Sequence, residues 1–141
     1  KSVTIVAKTP SDTDAIMAAL VYPVFLGSKV TVVAGQTTTS AWATYDASGD
    51  VPAQATHVIL EAMGIQSSGG GTCFLNVRKA SGSVELEALV ARAAGGGDDV
   101  ANNNQLMCEL TTLRKFDWTV ATNGFDGGVS LKIVGYWRTL D

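Results

Sequence analysis

The stretch that decides the fold is TCFLNVRKASGSVELEALVA, residues 72–91. Its side chains alternate in polarity, most clearly in the second half, where Glu85 and Glu87 face away from Leu86. Ser81-Gly82 separates the two alternating runs with residues that favour tight turns. A period of two over this length predicts two half-buried β-strands that are separated by a turn.

Short apolar runs of the same kind recur along the rest of the chain. The further strand candidates span residues 3–7, 29–34, 40–45, 56–63, 106–110, 116–121 and 129–137. Their spacing is about the 8–12 residues that is typical of a sandwich or barrel. No repeated strand–helix alternation accompanies them, so a parallel sheet is not expected. We therefore predict a mainly all-β chain that folds as an antiparallel, jelly-roll-like β-sandwich.

Clusters rich in glycine or asparagine lie between the candidate strands. The glycines in residues 69–71, 81–82, 95–97 and 127–128 predict turns with positive φ. Asn123-Gly124 stands between two apolar runs and predicts a hairpin. Residues 102–104, all asparagine, predict a polar loop.

One short N-terminal helix is also expected. Ser11 and Asp14 are spaced as in a capping box, and the apolar residues 15–21 follow them. Pro23 would end this helix, because a helical conformation is disfavoured before proline. The apolar run is continuous, so a strand stays open as the alternative.

The chain is short enough to form one continuous domain, residues 1–141. Within it we assign residues 1–39 to an N-terminal arm or first strands that could serve for attachment, and residues 40–141 to the sandwich module. The sequence begins at Lys1 rather than Met, so a processed or truncated N-terminus is expected.

The composition argues against several classes of protein. Hydrophobic residues make up 46% of the 141 and charged residues only 16%, with a net charge of −3. This balance argues against a disordered chain and against a basic surface for nucleic acid. No apolar run reaches the roughly 18–20 residues that would span a membrane. So few charges suit a protein that buries several faces against neighbours.

Residues that could carry chemistry are few. His57 is the only histidine and no Gly-x-Ser-x-Gly motif accompanies it, so a strand histidine is favoured over a catalytic base. Glu85 and Glu87 share one strand face, where solvated carboxylates explain them more simply than a glycosidase pair. Asp98-Asp99 and Asp126 lack the spacing of a calcium loop. We predict no catalytic, metal-binding or cofactor-binding residues.

The two cysteines, Cys73 and Cys108, lie in different candidate strands. They could pair if those strands are neighbours. Free cysteine is among the most buried residue types, so two buried free thiols are favoured over a disulfide. Two cysteines and one histidine cannot complete a four-ligand zinc site without carboxylates.

Two stretches resemble small β-sandwich modules of bacteriophage virion proteins. Residues 46–60, DASGDVPAQATHVIL, are similar to a Val-Pro-x-x-Ala-x-x-Val-Ile-Leu entry into a strand. Residues 129–137, VSLKIVGYW, are similar to a closing strand that ends in Gly-Tyr-aromatic. The resemblance spans roughly residues 40–138 and is to head-decoration, head-fibre and tail-fibre-tip proteins. It implies a β-sandwich and brings no catalytic residues with it.

The resemblance implies a non-enzymatic structural protein on the virion surface. Its expected role is to decorate and cement a bacteriophage capsid through surface burial, as a homo-oligomer such as a trimer. Its expected partners are copies of itself and the major capsid protein or other virion proteins, with no cofactor, nucleic acid or membrane. The alternative is a receptor- or carbohydrate-binding tip of a tail fibre that contacts a host-surface glycan. A third hypothesis is a small hydrolase that uses His57.

Five aromatic residues are predicted to anchor the core or an interface, because aromatic side chains bury large apolar areas. They are Trp42, Tyr45, Trp118, Tyr136 and Trp137.

Overall fold

The protein consists of β-strands without helix in the part that a computed structural model describes, residues 21–66, 70–83, 85–94, 100–123 and 128–139. The strands are β1 (Val21–Gln36), β2 (Ala43–Asp46), β3 (Ala55–Gln66), β4 (Gly70–Lys79), β5 (Glu85–Ala94), β6 (Val100–Glu109), β7 (Lys115–Asn123) and β8 (Val129–Thr139). The predicted mainly all-β class is confirmed. The candidate strand at residues 3–7 and residues 15–20 of the predicted helix lie outside the described residues.

The strands form two four-stranded antiparallel sheets. Sheet A has the order β1-β8-β3-β6 and sheet B the order β2-β7-β4-β5. The chain crosses from one sheet to the other at every connection except the one between β4 and β5. This arrangement of eight strands is the double-sheet jelly roll, and it confirms the predicted sandwich. Residues 21–36, part of the segment assigned to an N-terminal arm or first strands, pair along β8 and belong to sheet A.

The core lies between the sheets, where the alternation of the strands directs their apolar side chains. Leu75 and Val77 of β4 are fully buried there, as their spacing predicts. The other large side chains that have no exposed surface include Phe116, Leu60, Leu131, Ile133, Val58, Val120 and Val129. These residues form one contiguous cluster.

Cys73 and Cys108 are free thiols in this core. The two cysteines are not cross-strand neighbours, because β4 lies in sheet B and β6 in sheet A. Burial raises the pKa of Cys73 to about 11. Burial, together with the carboxylates of Glu109 and Asp117, raises the pKa of Cys108 to about 12. Both therefore stay protonated and unreactive near neutral pH.

The predicted end of the N-terminal helix is wrong, because Val21 already belongs to β1 and the strand continues through Pro23. Proline is tolerated here because β1 is an edge strand, where a missing N–H need not remove a ladder hydrogen bond.

The predicted hairpin at Asn123-Gly124 is also wrong. β7 lies in sheet B and β8 in sheet A, so this connection crosses between the sheets. Residues 102–104 form part of β6 rather than a loop, and Asn103 and Asn104 stand opposite Met63 and Ala62 of β3. Both errors have one cause: turn-forming residues do not determine which distant strand a segment pairs with.

The predicted turn at Ser81-Gly82 joins β4 to β5, but the residue in the left-handed conformation is Ser81, with φ 61°. Glycine is required at position 82 because there is no room for a side chain. Its N–H donates to the Lys79 carbonyl oxygen at 2.7 Å, and a Cβ on Gly82 would lie 2.9 Å from that oxygen. A side chain there would force the turn open.

Candidate interaction surface

The outer face of sheet A, which points away from the core, is apolar at the end where residues 21–25 pair with residues 135–139. Further along the strands, the outward row of Thr31, Lys132, Glu61 and Gln105 is polar. The register places two rows of outward side chains across all four strands. One row is Pro23, Trp137, His57 and Glu109, and the next is Phe25, Gly135, Ile59 and Met107. We call the six apolar residues Val21, Pro23, Phe25, Ile59, Met107 and Trp137 the apolar face.

Large apolar side chains on this face are open to solvent. Phe25 is 67% exposed, Met107 50% and Val21 46%. Trp137 lies between them and lines two shallow hollows of about 190 and 280 Å³. Contiguous exposed apolar patches are typical of protein surfaces that contact a partner.

Gly135 gives the face its shape. Here β8 carries one extra residue, since Ile59 and Leu60 stand opposite Gly135 and Ile133 and leave Val134 unmatched. A Cβ on Gly135 would lie 2.6 Å from the Val24 carbonyl oxygen and 3.3 Å from the Phe25 Cα. Only glycine therefore allows β1 to approach β8 this closely. A glycine inside a strand is typical of a bulge or of a close backbone approach, and both occur at Gly135.

Two ion pairs flank the apolar face, and each forms between two residues of the same chain. Lys29 Nζ lies 2.7 Å from Glu61 Oε2, and Lys79 Nζ lies 2.6 Å from Glu109 Oε1. The hydrogen bond from Lys29 lowers the pKa of Glu61, and the one from Lys79 lowers the pKa of Glu109. Both carboxylates stay ionised beside their lysines, so the flanks contribute little net charge.

The outer face of sheet B is polar, in contrast to that of sheet A. Arg78 there reaches Asp117 at 3.3 Å and Glu85 at 3.5 Å. Its guanidinium also lies 3.9 Å from the centre of the Trp42 ring. Burial alone would raise the pKa of Asp117, but hydrogen bonds from Thr44, the Ser81 backbone and Arg78 hold it below the usual value.

The five predicted aromatic anchors divide between the core and the outer faces. Trp118 and Tyr136 pack against the core. Tyr45 does so as well, with its ring 5.5 Å from that of Phe116 and its hydroxyl donating to Asp50 at 2.9 Å. Burial, followed by this contact with Asp50, raises the pKa of Tyr45 to about 12. Trp42 and Trp137 lie on the outer faces of sheets B and A.

The other sequence candidates are not brought together. The Nδ1 atom of His57 lies 3.0 Å from the Thr56 hydroxyl, and its cross-strand neighbour is Glu109. Glu85 and Glu87 stand at the exposed edge of sheet B, where Glu85 pairs with Arg78. Asp98-Asp99 and Asp126 lie outside the described residues.

Among the described residues, no group of three or more His, Cys, Asp or Glu is placed to hold a metal ion. No helix found there is long and apolar enough to cross a membrane.

Sequence reasoning missed most of the apolar face. Phe25, Ile59 and Met107 were not singled out, because which face a strand residue occupies depends on pairing with other strands. One signal was present in residues 21–26, VYPVFL, which are apolar without interruption. A strand with such a run has apolar side chains on both of its faces.

Neither protein-family models nor curated proteins match the chain. The resemblance to virion modules therefore rests on short sequence motifs alone, residues 46–60 and 129–137 with the strands at residues 75–78 and 114–118 between them.

Proposed function

We propose that this protein is a non-enzymatic structural protein of a bacteriophage virion, which decorates and cements the capsid surface. It acts by burying apolar surface against neighbouring proteins rather than by chemistry. Its partners are further copies of itself and the major capsid protein or another virion protein.

The observation that carries the proposal is the apolar outer face of sheet A. The core between the sheets already buries the inner side chains of both sheets, so Phe25, Met107 and Trp137 do not serve that core. Exposed aromatic and methionine side chains on a flat sheet have the composition of the centre of a protein–protein interface. The flanking ion pairs have the composition of its polar rim.

The fold supports the proposal more weakly. Double-sheet jelly rolls occur in viral capsid domains, but also in lectins and cupins, so the architecture is compatible with several functions. The motif resemblance in residues 46–60 and 129–137 favours the virion among them.

The experiment is binding to capsids assembled without this chain. We expect the purified protein to co-sediment with such particles, and a Phe25→Glu variant to lose this binding. Leu113→Glu is the matched control, since Leu113 is 68% exposed but lies in the turn before β7. Absence of wild-type binding, or equal binding by both variants, would contradict the proposal.

A second candidate function, a glycan-binding tip, is favoured by the outer face of sheet B. An indole ring there lies beside hydrogen-bonding side chains, and Asn76 Oδ1 is buried without a hydrogen-bond partner. Asn76 of β4 stands opposite Thr119 of β7. Trp42 directly precedes β2, which pairs with the other side of β7. Binding on a glycan array that Trp42→Ala abolishes and Trp137→Ala leaves intact would favour this function over capsid decoration.

A further inference from the structure

We propose that the apolar face of sheet A binds the same face of a second copy of this chain, so that the protein forms a two-fold symmetric dimer in which Phe25 of each copy enters the hollow beside Trp137 of the other. This inference rests on the proposed function for its choice of surface. It assigns the apolar face to a second copy, so the dimer contacts the capsid through its other surfaces, and Phe25→Glu affects capsid binding by separating the two copies.

The face carries both halves of a self-complementary contact. Phe25 is the most exposed side chain of the apolar face. Beside it lies the hollow of about 280 Å³, whose walls include Ile59, Met107 and Trp137. An isologous interface requires that a protruding group and its receptor occur on the same surface, because each copy supplies one to the other.

The charges permit the face to meet its own copy. A face with one sign of charge would repel a second copy, but here both flanking pairs, Lys29–Glu61 and Lys79–Glu109, are closed within the chain. The rows between them, from Pro23 and Phe25 on β1 to Met107 on β6, carry no acidic or basic side chain other than His57 and Glu109. Within these two rows, two copies can therefore approach without bringing unpaired like charges together. Lys132 lies outside them, in the next row beside Glu61.

The area is close to what a stable dimer needs. Four strands are about 19 Å wide, and the 11 residues of β8 are about 36 Å long. A second sheet laid on the whole outer face, with the row of Thr31, Lys132, Glu61 and Gln105 as its polar rim, would therefore cover about 700 Å² per copy, against about 800 Å² per partner in a standard interface. Flat sheets pack in this way at about 10 Å in the core of a sandwich.

The first test is the mass of the full-length protein in solution, by light scattering and native mass spectrometry. We expect two chains per particle for the wild type and one for Phe25→Glu, with Leu113→Glu still a dimer. Phe25→Leu should also remain a dimer, because it keeps an apolar side chain for the hollow. A wild-type mass of one or three chains, or equal behaviour of the two glutamate variants, overturns the inference.

The second test locates the contact. Phe25 and Met107 are three strands apart in one chain, or about 14 Å, so a bismaleimide shorter than this cannot join them within a chain. In a Phe25→Cys, Met107→Cys double variant it should join two chains and stop at the dimer. The buried native thiols should not react. Longer ladders would indicate a head-to-tail contact, and a variant that has the mass of a dimer but is not crosslinked would place the contact on another face; both refute a two-fold dimer through the apolar face.

The rate at which the thiol of Phe25→Cys reacts shows whether the apolar face is covered by a second copy or by another part of the same chain. In a dimer the labelling should become faster on dilution. A monomer whose position 25 is protected at every concentration has its face covered by another part of the same chain, which also overturns the inference. A monomer that still binds capsids would leave the proposed function standing, and a dimer that ignores capsids would leave only the dimer.

Discussion

Gly135→Ala should destabilise the protein although it adds only one methyl group. The new Cβ would lie 2.6 Å from the Val24 carbonyl oxygen and 3.3 Å from both Phe25 Cα and Ile59 Cδ1. Two of these three atoms belong to the backbone of β1, so no side-chain rotation relieves the contact. Either β1 must move away from β8 or the bulge in β8 must close.

The magnitude follows from two opposing terms. Forcing an extra group into a packed site costs about 1–3 kcal/mol. Replacing glycine by alanine also restricts the unfolded chain, which stabilises the folded state by about 0.4–1 kcal/mol. The free energy of unfolding should therefore fall by about 1.3 kcal/mol, within a range of about 0–2.6 kcal/mol, and the melting temperature by about 3–5 °C for a chain of this size.

The assay is urea unfolding followed by tryptophan fluorescence, at one fixed protein concentration because association also stabilises the folded chain. The matched control is Gly27→Ala, since Gly27 lies in the same sheet with nothing within 4 Å of its Cβ position. This control should be neutral or stabilising. Equal midpoints for the two variants, with an unchanged urea dependence, would refute the steric argument at Gly135.

Four further predictions concern the core and the polar face. Asp117 has a lowered pKa in the folded state, so its contribution to stability is complete above the unfolded pKa near 3.8 and is lost as the pH falls through the lower folded value. Asp117→Asn should therefore unfold with a weaker pH dependence between about pH 5 and pH 2 than the wild type, and equal slopes would contradict this. Cys73 and Cys108 should resist a thiol reagent at pH 8 in the native protein and both react in urea; fast native labelling would show that the core is open. Phe116→Ala should lower the free energy of unfolding by about 3–5 kcal/mol, because the ring is fully buried. Tyr45→Phe, which only removes the hydrogen bond to Asp50, should lower the free energy of unfolding by about 0.5–1.5 kcal/mol in the same urea assay. A larger loss for Tyr45→Phe than for Phe116→Ala would contradict this prediction.

The sequence predicts the strands well because alternation is a local property. Leu75 and Val77 occupy the core face that their spacing indicates, and the candidate at 129–137 differs from β8 by two residues at one end. The pairing of strands is not local. Asn123-Gly124 has the composition of a hairpin, yet the strands on either side enter different sheets. Which sheet each strand joins is decided only when the inner faces of sheets A and B are buried against each other.

The candidate surface was harder to predict than the fold for a related reason. Pro23 is compatible with a helix stop and with an edge strand, and a continuous apolar run does not distinguish them. Met107 is exposed while its neighbour Cys108 is buried, which follows only from the register of β6 on β3. Trp137 was singled out because of its size, and the register then placed it on the outer face.

The position of β8 between β1 and β3 has a consequence for synthesis of the chain. Val21 pairs with Thr139, so the first described strand finds its partner only 118 residues later. At roughly 5–20 residues per second, a ribosome needs about 6–24 s to make this interval. Until β8 emerges, β1 and β3 have no strand between them, and residues 21–26 stay unpaired on the nascent chain. Sheet A is therefore completed after translation reaches β8, and a chaperone that shields apolar segments would act on β1 during that interval.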